Sequence, residues 1–167
     1  LCLSPAIYAT VQYLRFPAIN DVTTDWENPP ELLLAGATGP DLMRKDETIA
    51  AFPNAVNRNY QLPAPTVFAL VEQLVMESGW DIRIRRAPGD LPVAGQINAI
   101  AMTLVGWRDE ISISIGNPGA GTRVAVRSRS LVGEADLGEN GRRIENFLLT
   151  LDERVSEWRR DNPQIGG

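Results

Sequence analysis

The sequence predicts an α+β fold: a two-layer sandwich in which two helices cover one face of a four-stranded antiparallel sheet, in the manner of helix-grip folds. Three observations support this prediction. Two segments carry apolar residues at helical spacing, and four runs between them show the two-residue alternation of strands. Short turn sequences join these runs, which favours an antiparallel meander whose apolar face the helices bury.

Two helices bracket the predicted sheet. The first, at residues 66–78, begins after a proline and ends before Gly79, a residue suited to helix termination. The second, at 137–160, has Asp136 as its N-cap, and Glu139 completes a capping-box pair. Apolar residues fall on one stripe of each helix, so each helix has one face to bury.

Four strand-like runs lie between the helices. The first alternates around Ile82 and the third around Ile113. The second, at 96–107, is apolar on both faces and is therefore expected to be central or covered on both sides. The fourth places Val124 and Val126 on one face and mostly arginines on the other.

The segment before the first helix is rich in proline, asparagine and aspartate and sustains neither a helical nor a strand period. We predict a long extended N-terminal arm at residues 15–64, with a brief helix near Asp46 to Ala51. Because so long a structureless stretch is unusual in a compact domain, the arm is expected to wrap the domain or to bridge to a membrane anchor or partner. The α+β domain is assigned to residues 65–160, and a tail to 161–167.

Residues 1–14 are mostly apolar. Because crossing a bilayer takes about 20 residues, two interpretations remain open. The segment is either the end of a membrane anchor or signal segment, or an N-terminal helix packed on the domain. Cys2 is the single cysteine, so no disulfide can form within the chain.

The composition narrows the classes of function. The 167 residues include no histidine, which removes Ser-His-Asp and Cys-His catalysis and most zinc sites. Lys and Arg together number 16 and Asp and Glu 21, and the resulting net charge of −5 argues against binding of nucleic acid. We therefore expect no enzymatic activity, no cofactor and no nucleic-acid partner.

Several motifs along the chain belong together. They are D-V-T-T-D at 21–25 with P-P at 29–30, F-P at 52–53, Y-Q-L-P at 60–63, G-W at 79–80, G-W-R-D-E at 106–110, R-S-R-S-L-V-G at 127–133, D-L-G-E-N at 136–140 and R-I at 143–144. Together they resemble the bacterial and plastid family known as domain of unknown function 1499, over about residues 17–152. The resemblance implies an exported or membrane-anchored protein and supports location more than activity.

The chain departs from that family's pattern at three positions. Asn98 stands where members usually have glutamate, and Ser114 and Leu131 stand where they often have arginine. We hypothesise that this chain keeps the fold while the charges of a family pocket are lost or the surface is used for protein contact.

The stretch that ends the sheet and begins the last helix is unusually polar. Candidate residues of a polar or anion-binding site are Asp109, Arg127, Arg129, Asp136, Asn140 and Arg143. A helix N-terminus offers free N–H groups and the positive end of a dipole, which together with a nearby arginine suit an anion. The alternative is structural: the arginines and carboxylates pair to hold the strand-to-helix corner, and Asp136 and Asn140 satisfy backbone groups.

The arm and the tryptophans supply further candidates. Asp21, Asp25 and Trp26 are candidates for contact with a partner, although the two carboxylates also suit local bonds to the backbone. Trp80 and Trp107 lie on apolar stripes and are expected in the core or as a lid over a cavity.

We expect a non-catalytic accessory or scaffold domain of an exported or membrane-anchored protein. It would lie on the extracytoplasmic side, in the periplasm or a lumen, with a membrane protein complex as its partner. Two alternatives remain. A module for a lipid or small amphiphile would enclose its ligand between Val67–Val75 and Ile97–Val105. A histidine-independent enzyme would set a carboxylate of the polar cluster against one of its arginines.

Overall fold

The computed structural model describes residues 19–34, 38–89, 94–103, 106–133 and 136–163, without the side chains of residues 117 and 118. The predictions for residues 1–14, and for 164–167 of the tail, lie outside these ranges.

The predicted α+β class is confirmed, but its details differ. Within the described ranges the chain forms six strands and three α-helices rather than four and two. In chain order the elements are β1 (Asp21–Thr23), a 3-10 turn (Leu42–Arg44), α1 (Lys45–Ala51), β2 (Arg58–Tyr60), α2 (Ala64–Glu77), β3 (Asp81–Arg86), β4 (Gly95–Met102), β5 (Arg108–Gly119), β6 (Gly121–Ser130) and α3 (Glu139–Asp161).

The sheet is antiparallel, and β4, β5 and β6 lie in its interior between β3 on one side and the short strands β1 and β2 on the other. β1 pairs with residues 127–129 and β2 with residues 122–124 of the same strand, β6. Thr24 bridges the two pairings, because its N–H donates to the Val126 carbonyl and its Oγ1 accepts from the Val126 N–H, both at 2.9 Å. The arm thus supplies one edge strand in two halves, β1 and β2. Residues 25–57 lie between these halves in the sequence.

The two unpredicted strands have a simple explanation. β1 and β2 are three residues long, too short to show a period, and they gain their partners only through contacts distant in sequence. The brief helix predicted near Asp46 to Ala51 is confirmed as α1. The second predicted strand was too long, because β4 ends at Met102.

One hydrophobic core lies between the sheet and helices α2 and α3. Ile111 and Ile113 of β5 meet Val71 of α2 and Leu148 of α3, and each of these side chains is at most 1% exposed. The arm contributes to the same core with Ile19, Val22, Phe52, Ala55, Tyr60 and Leu62. The arm is therefore an integral layer of the domain.

Phe52 gives the clearest example of this packing. Its ring lies against Gly141 in α3, where an added Cβ would come within 2.4 Å of the ring carbons. Only glycine leaves room for this contact between the arm and the helix. Among the described residues, no helix is long and apolar enough to cross a membrane.

Candidate functional site

The structure divides the predicted polar site between the two faces of the sheet. Successive residues of a strand point to opposite faces, and this alternation separates Arg127 and Arg129 from Ser128. Ser128 lies on the helix side, where its Oγ bonds Asn140 Oδ1 at 2.6 Å. Arg127 lies on the opposite side and bonds Asp21.

The helix-side cluster consists of Asp109, Asp136, Asn140 and Arg143. The Arg143 guanidinium has a nitrogen 2.7 Å from Asp109 Oδ2 and donates to Asn140 Oδ1 at 2.9 Å. The Asn140 amide donates to Ser130 Oγ at 2.9 Å and to the Asn20 carbonyl at 3.1 Å. These contacts fasten the first turns of α3 to strands β5 and β6.

Asp136 organises the start of α3, but not as the predicted N-cap. The N-cap is Gly138, whose φ of 82° lies in the left-handed region. Asp136 Oδ1 accepts from the Gly138 N–H at 2.9 Å, and Oδ2 accepts from the Asn140 N–H at 2.5 Å. Burial raises the pKa of the Asp136 carboxyl; the backbone N–H groups of Asn140 and Gly138 oppose this rise, and the charge of Asp109 adds to it.

The arm-side cluster is built on Asp21, Arg127, Arg129 and Thr38. Arg127 binds Asp21 through two nitrogens, at 2.9 and 2.7 Å, and donates to the Thr38 carbonyl at 2.9 Å. The side chains of Arg127 and Asp21 are only 3% and 9% exposed. Arg129 donates to Thr38 Oγ1 at 2.7 Å. Both arginines therefore hold the arm against the sheet.

A second carboxylate binds the arm further along this face. Glu110 accepts hydrogen bonds from the backbone N–H groups of Leu33 and Leu34, at 2.6 and 2.9 Å. Asn98 donates to Glu110 Oε1 at 3.3 Å and to the Glu31 carbonyl at 3.2 Å. These two residues are 1% exposed. Sequence reasoning missed Glu110 as an anchor, although its alternation with the apolar residues of β5 was the signal that could have found it.

The predicted partner-contact residues make contacts within the chain. Asp21 pairs with Arg127, and Asp25 Oδ2 lies 2.8 Å from an Arg123 nitrogen. Asp25 Oδ1 also accepts from the backbone N–H of Asn28 at 3.0 Å. Trp26 is half-buried. Contact of this segment with a partner stays a prediction.

The two tryptophans expected in the core or over a cavity differ in exposure. Trp80 packs against the core and stacks on Phe147, with ring centroids 5.2 Å apart. Trp107 is 51% exposed, so its expected place in the core is wrong, whereas a role as a lid over a cavity stays a prediction. The residues expected to enclose an amphiphile, such as Val67 and Ile97, are instead fully buried in the packed core.

Both clusters join a guanidinium to a buried carboxylate, and their further hydrogen bonds go to neighbouring side chains and to the backbone. Such an arrangement orients segments and stabilises a corner of the fold. No group of three or more His, Cys, Asp or Glu residues that could hold a metal ion occurs in the described part of the chain.

These features define an α+β domain whose N-terminal arm wraps around the sheet. Residues of the D-V-T-T-D, R-S-R-S-L-V-G and D-L-G-E-N motifs hold the arm and α3 against the sheet. The family model described as "Protein of unknown function (DUF1499)" matches residues 21–151, and the chain belongs to this family. Among curated proteins, no sequence matches. A solved structure, that of TTHA0849 from Thermus thermophilus, is similar at 14% identity and a TM-score of 0.29, covering 61% of this chain and 95% of that chain.

Proposed function

We propose that this domain is a non-catalytic accessory part of a membrane-associated assembly on the extracytoplasmic side. One observation carries the proposal. Three large apolar side chains are exposed at one end of the sheet: Met102 at 65%, Trp107 at 51% and Val132 at 67%. We call this the hairpin end, because the turn from β4 to β5 forms it.

Backbone contacts bring these three residues to the same end. Met102 pairs with Arg108 across β4 and β5, and Trp107 immediately precedes that strand. The Leu131 N–H donates to the Arg108 carbonyl at 3.0 Å, which brings Val132 to the same edge. The three residues therefore lie at one end of the sheet, and Met102 also lines an adjoining cavity.

The start of the described chain lies at this end as well. The Asn20 carbonyl accepts from the Ser130 N–H at 2.9 Å, at the end of β6. The sequence before Ile19 is mostly apolar. An apolar segment that joins the domain beside an exposed tryptophan supports contact of this end with a membrane or a membrane protein, since tryptophan is enriched at membrane–water interfaces.

The two polar clusters support the absence of catalysis. Their arginines and carboxylates are engaged with each other and with the backbone, and the chain has no histidine to serve as a general base.

The test is recovery of the full-length protein from its native membrane in mild detergent, with mass spectrometry of proteins and lipids. The variant Met102→Ser/Trp107→Ser/Val132→Ser should lose the stoichiometric protein partners that the wild type retains. A control variant, Leu42→Ser/Met43→Ser/Met76→Ser, changes three equally apolar residues with exposures of 65%, 94% and 58% elsewhere. It should keep those partners.

Two results would contradict the proposal. Retention of every partner by the hairpin-end variant would show that this surface is not used. Recovery of the wild-type protein alone with a defined bound lipid would favour the amphiphile-binding alternative.

A further inference from the structure

A cavity of about 430 Å³ opens between the end of α2, the end of β4 and the first turns of α3. Its volume lies in the range of sites for small molecules. Of the predicted polar site, only Arg143 lines it. The cavity is therefore distinct from the contacts that hold the arm.

One wall of the cavity is apolar and firmly held. Trp80 and Phe147 both line it, and their rings stack with an interplanar angle of 24°. Phe147 and Leu74, which also lines the wall, are 4% and 6% exposed, so the core fixes this wall from behind. A preformed wall binds its ligand at little conformational cost.

The charges that line the cavity are balanced. Arg142 lies 3.0 Å from Glu139, and Arg143 lies 2.7 Å from the buried Asp109. An anionic ligand that bound Arg143 would compete with Asp109, and separating this pair would leave a buried carboxylate without its partner. The pairing of Arg143 thus favours a ligand without charge.

Neutral polar groups complete the lining. Ser78, Thr103, Asn146 and Thr150 place hydroxyl and amide groups around the apolar wall. The hydroxyls of Ser78 and Thr150 donate to backbone carbonyls at 2.8 and 3.0 Å and remain acceptors, whereas Thr103 Oγ1 accepts from the Trp107 N–H at 3.0 Å and remains a donor. The cavity therefore combines an aromatic wall with several neutral hydrogen-bonding groups.

We propose that this cavity binds a neutral polyhydroxylated ring, that is, one saccharide unit of a glycan. The C–H face of such a ring packs on the electron-rich face of an aromatic side chain. Its hydroxyl groups bond to the amide of Asn146 and the hydroxyls of Thr150 and Thr103. The proposal does not depend on the accessory function assigned above.

The test is a titration of the full-length chain with cellotetraose and with chitotetraose, followed by nuclear magnetic resonance. We expect the indole N–H signal of Trp80 and the side-chain amide of Asn146 to shift and saturate with at least one of these neutral probes. Asn146→Ala/Thr150→Ala, which removes two polar groups from the rim, should weaken binding by about tenfold. Ser156→Ala, on the same helix but outside the cavity, should bind as the wild type does.

Three outcomes would overturn the proposal. One is the absence of a saturable Trp80 shift with both saccharides. A second is a response to the anionic amphiphile decyl sulfate alone, which would identify a site for amphiphiles instead. The third is saccharide binding that the double substitution leaves unchanged while the rest of its spectrum remains native, which would locate the ligand elsewhere.

Discussion

The helix-side and arm-side clusters lie on opposite faces of one sheet and stabilise different parts of the molecule. On the arm side, Arg127 joins Asp21 across 106 positions of sequence. On the helix side, several contacts are local, such as those of Asn140 with Arg143 three residues away and with Ser128 twelve residues away. The contacts of Arg127 and Arg129 with the arm are therefore all of long range. The helix side instead combines local contacts with a long-range bond, from the Asn140 amide to the Asn20 carbonyl 120 positions away.

The clusters also differ in access to water. Arg127 is 3% exposed and covered by the arm, whereas Arg143 is 11% exposed and lines the cavity beside α3. Their carboxylate partners differ in the opposite sense, since Asp21 is 9% exposed and Asp109 only 1%. Arg127 nevertheless binds its carboxylate through two nitrogens and also holds the Thr38 carbonyl of the arm, whereas Arg143 faces Asp109 with one nitrogen. We expect substitutions on the arm side to cost more free energy of unfolding.

The largest effect is expected for Arg127→Met, which leaves the Asp21 carboxylate buried without its main partner. Removing one member of a buried pair costs about 3–5 kcal/mol. Arg129 Nε, 4.0 Å from Asp21, keeps some positive charge nearby, so we expect the lower end of that range. Urea unfolding measures the change.

The double variant Asp21→Asn/Arg127→Met is the control for this prediction. Because it removes both members of the buried pair, it should recover part of the lost stability. A loss below about 1 kcal/mol in the single variant would mean that the arm does not depend on this pair.

A smaller loss is expected for Arg143→Met on the helix side. Asp109 loses its partner, but one nitrogen of Arg143 faces it where two nitrogens of Arg127 bind Asp21, so we expect about 2 kcal/mol. Arg143→Lys keeps the charge without the planar fork and should lie between the wild type and Arg143→Met. Urea unfolding of all three proteins tests the order. A cost for Arg143→Met equal to or above that of Arg127→Met would mean that the deeper burial of Asp109 outweighs the larger number of contacts that Arg127 makes with the arm.

The sequence predicted the regular elements better than their contacts. Helices α2 and α3 and the four long strands follow from periodicity, because each has enough residues to show its period. The arm strands β1 and β2 have three residues each and depend on β6, which is distant in sequence. No local pattern could therefore place them.

The structure brings together one half of the candidate residues. Asp109, Asp136, Asn140 and Arg143 lie close to one another, because Asp109 pairs with Ser130 at the end of β6, and the start of α3 follows soon after along the chain. Grouping the arginines of β6 with them ignored strand alternation, which places neighbouring residues on opposite faces. The partner of Arg127 lies in the arm, and only the folded chain could reveal it.

The smallest expected effect is a pH dependence on the helix side. Burial raises the pKa of Asp136 above its ordinary value of 3.8, so the folded state binds this proton more tightly than the unfolded state. The stability that this group contributes is therefore present below pH 3.8 and is lost as the pH rises through the higher folded value. Arm-side groups are unchanged in Asp136→Asn, so the difference between the two proteins isolates this carboxyl.

Asp136→Asn should thus cost most at the acid end, on the order of 1 kcal/mol for an altered cap, and progressively less as the pH rises. Urea unfolding of both proteins from pH 3 to pH 7 provides the measurement. Curves that stay parallel would mean that the Asn140 and Gly138 N–H groups offset burial completely. A cost that grows with pH would mean that these N–H groups outweigh burial, and that the helix-side corner favours the ionised carboxylate.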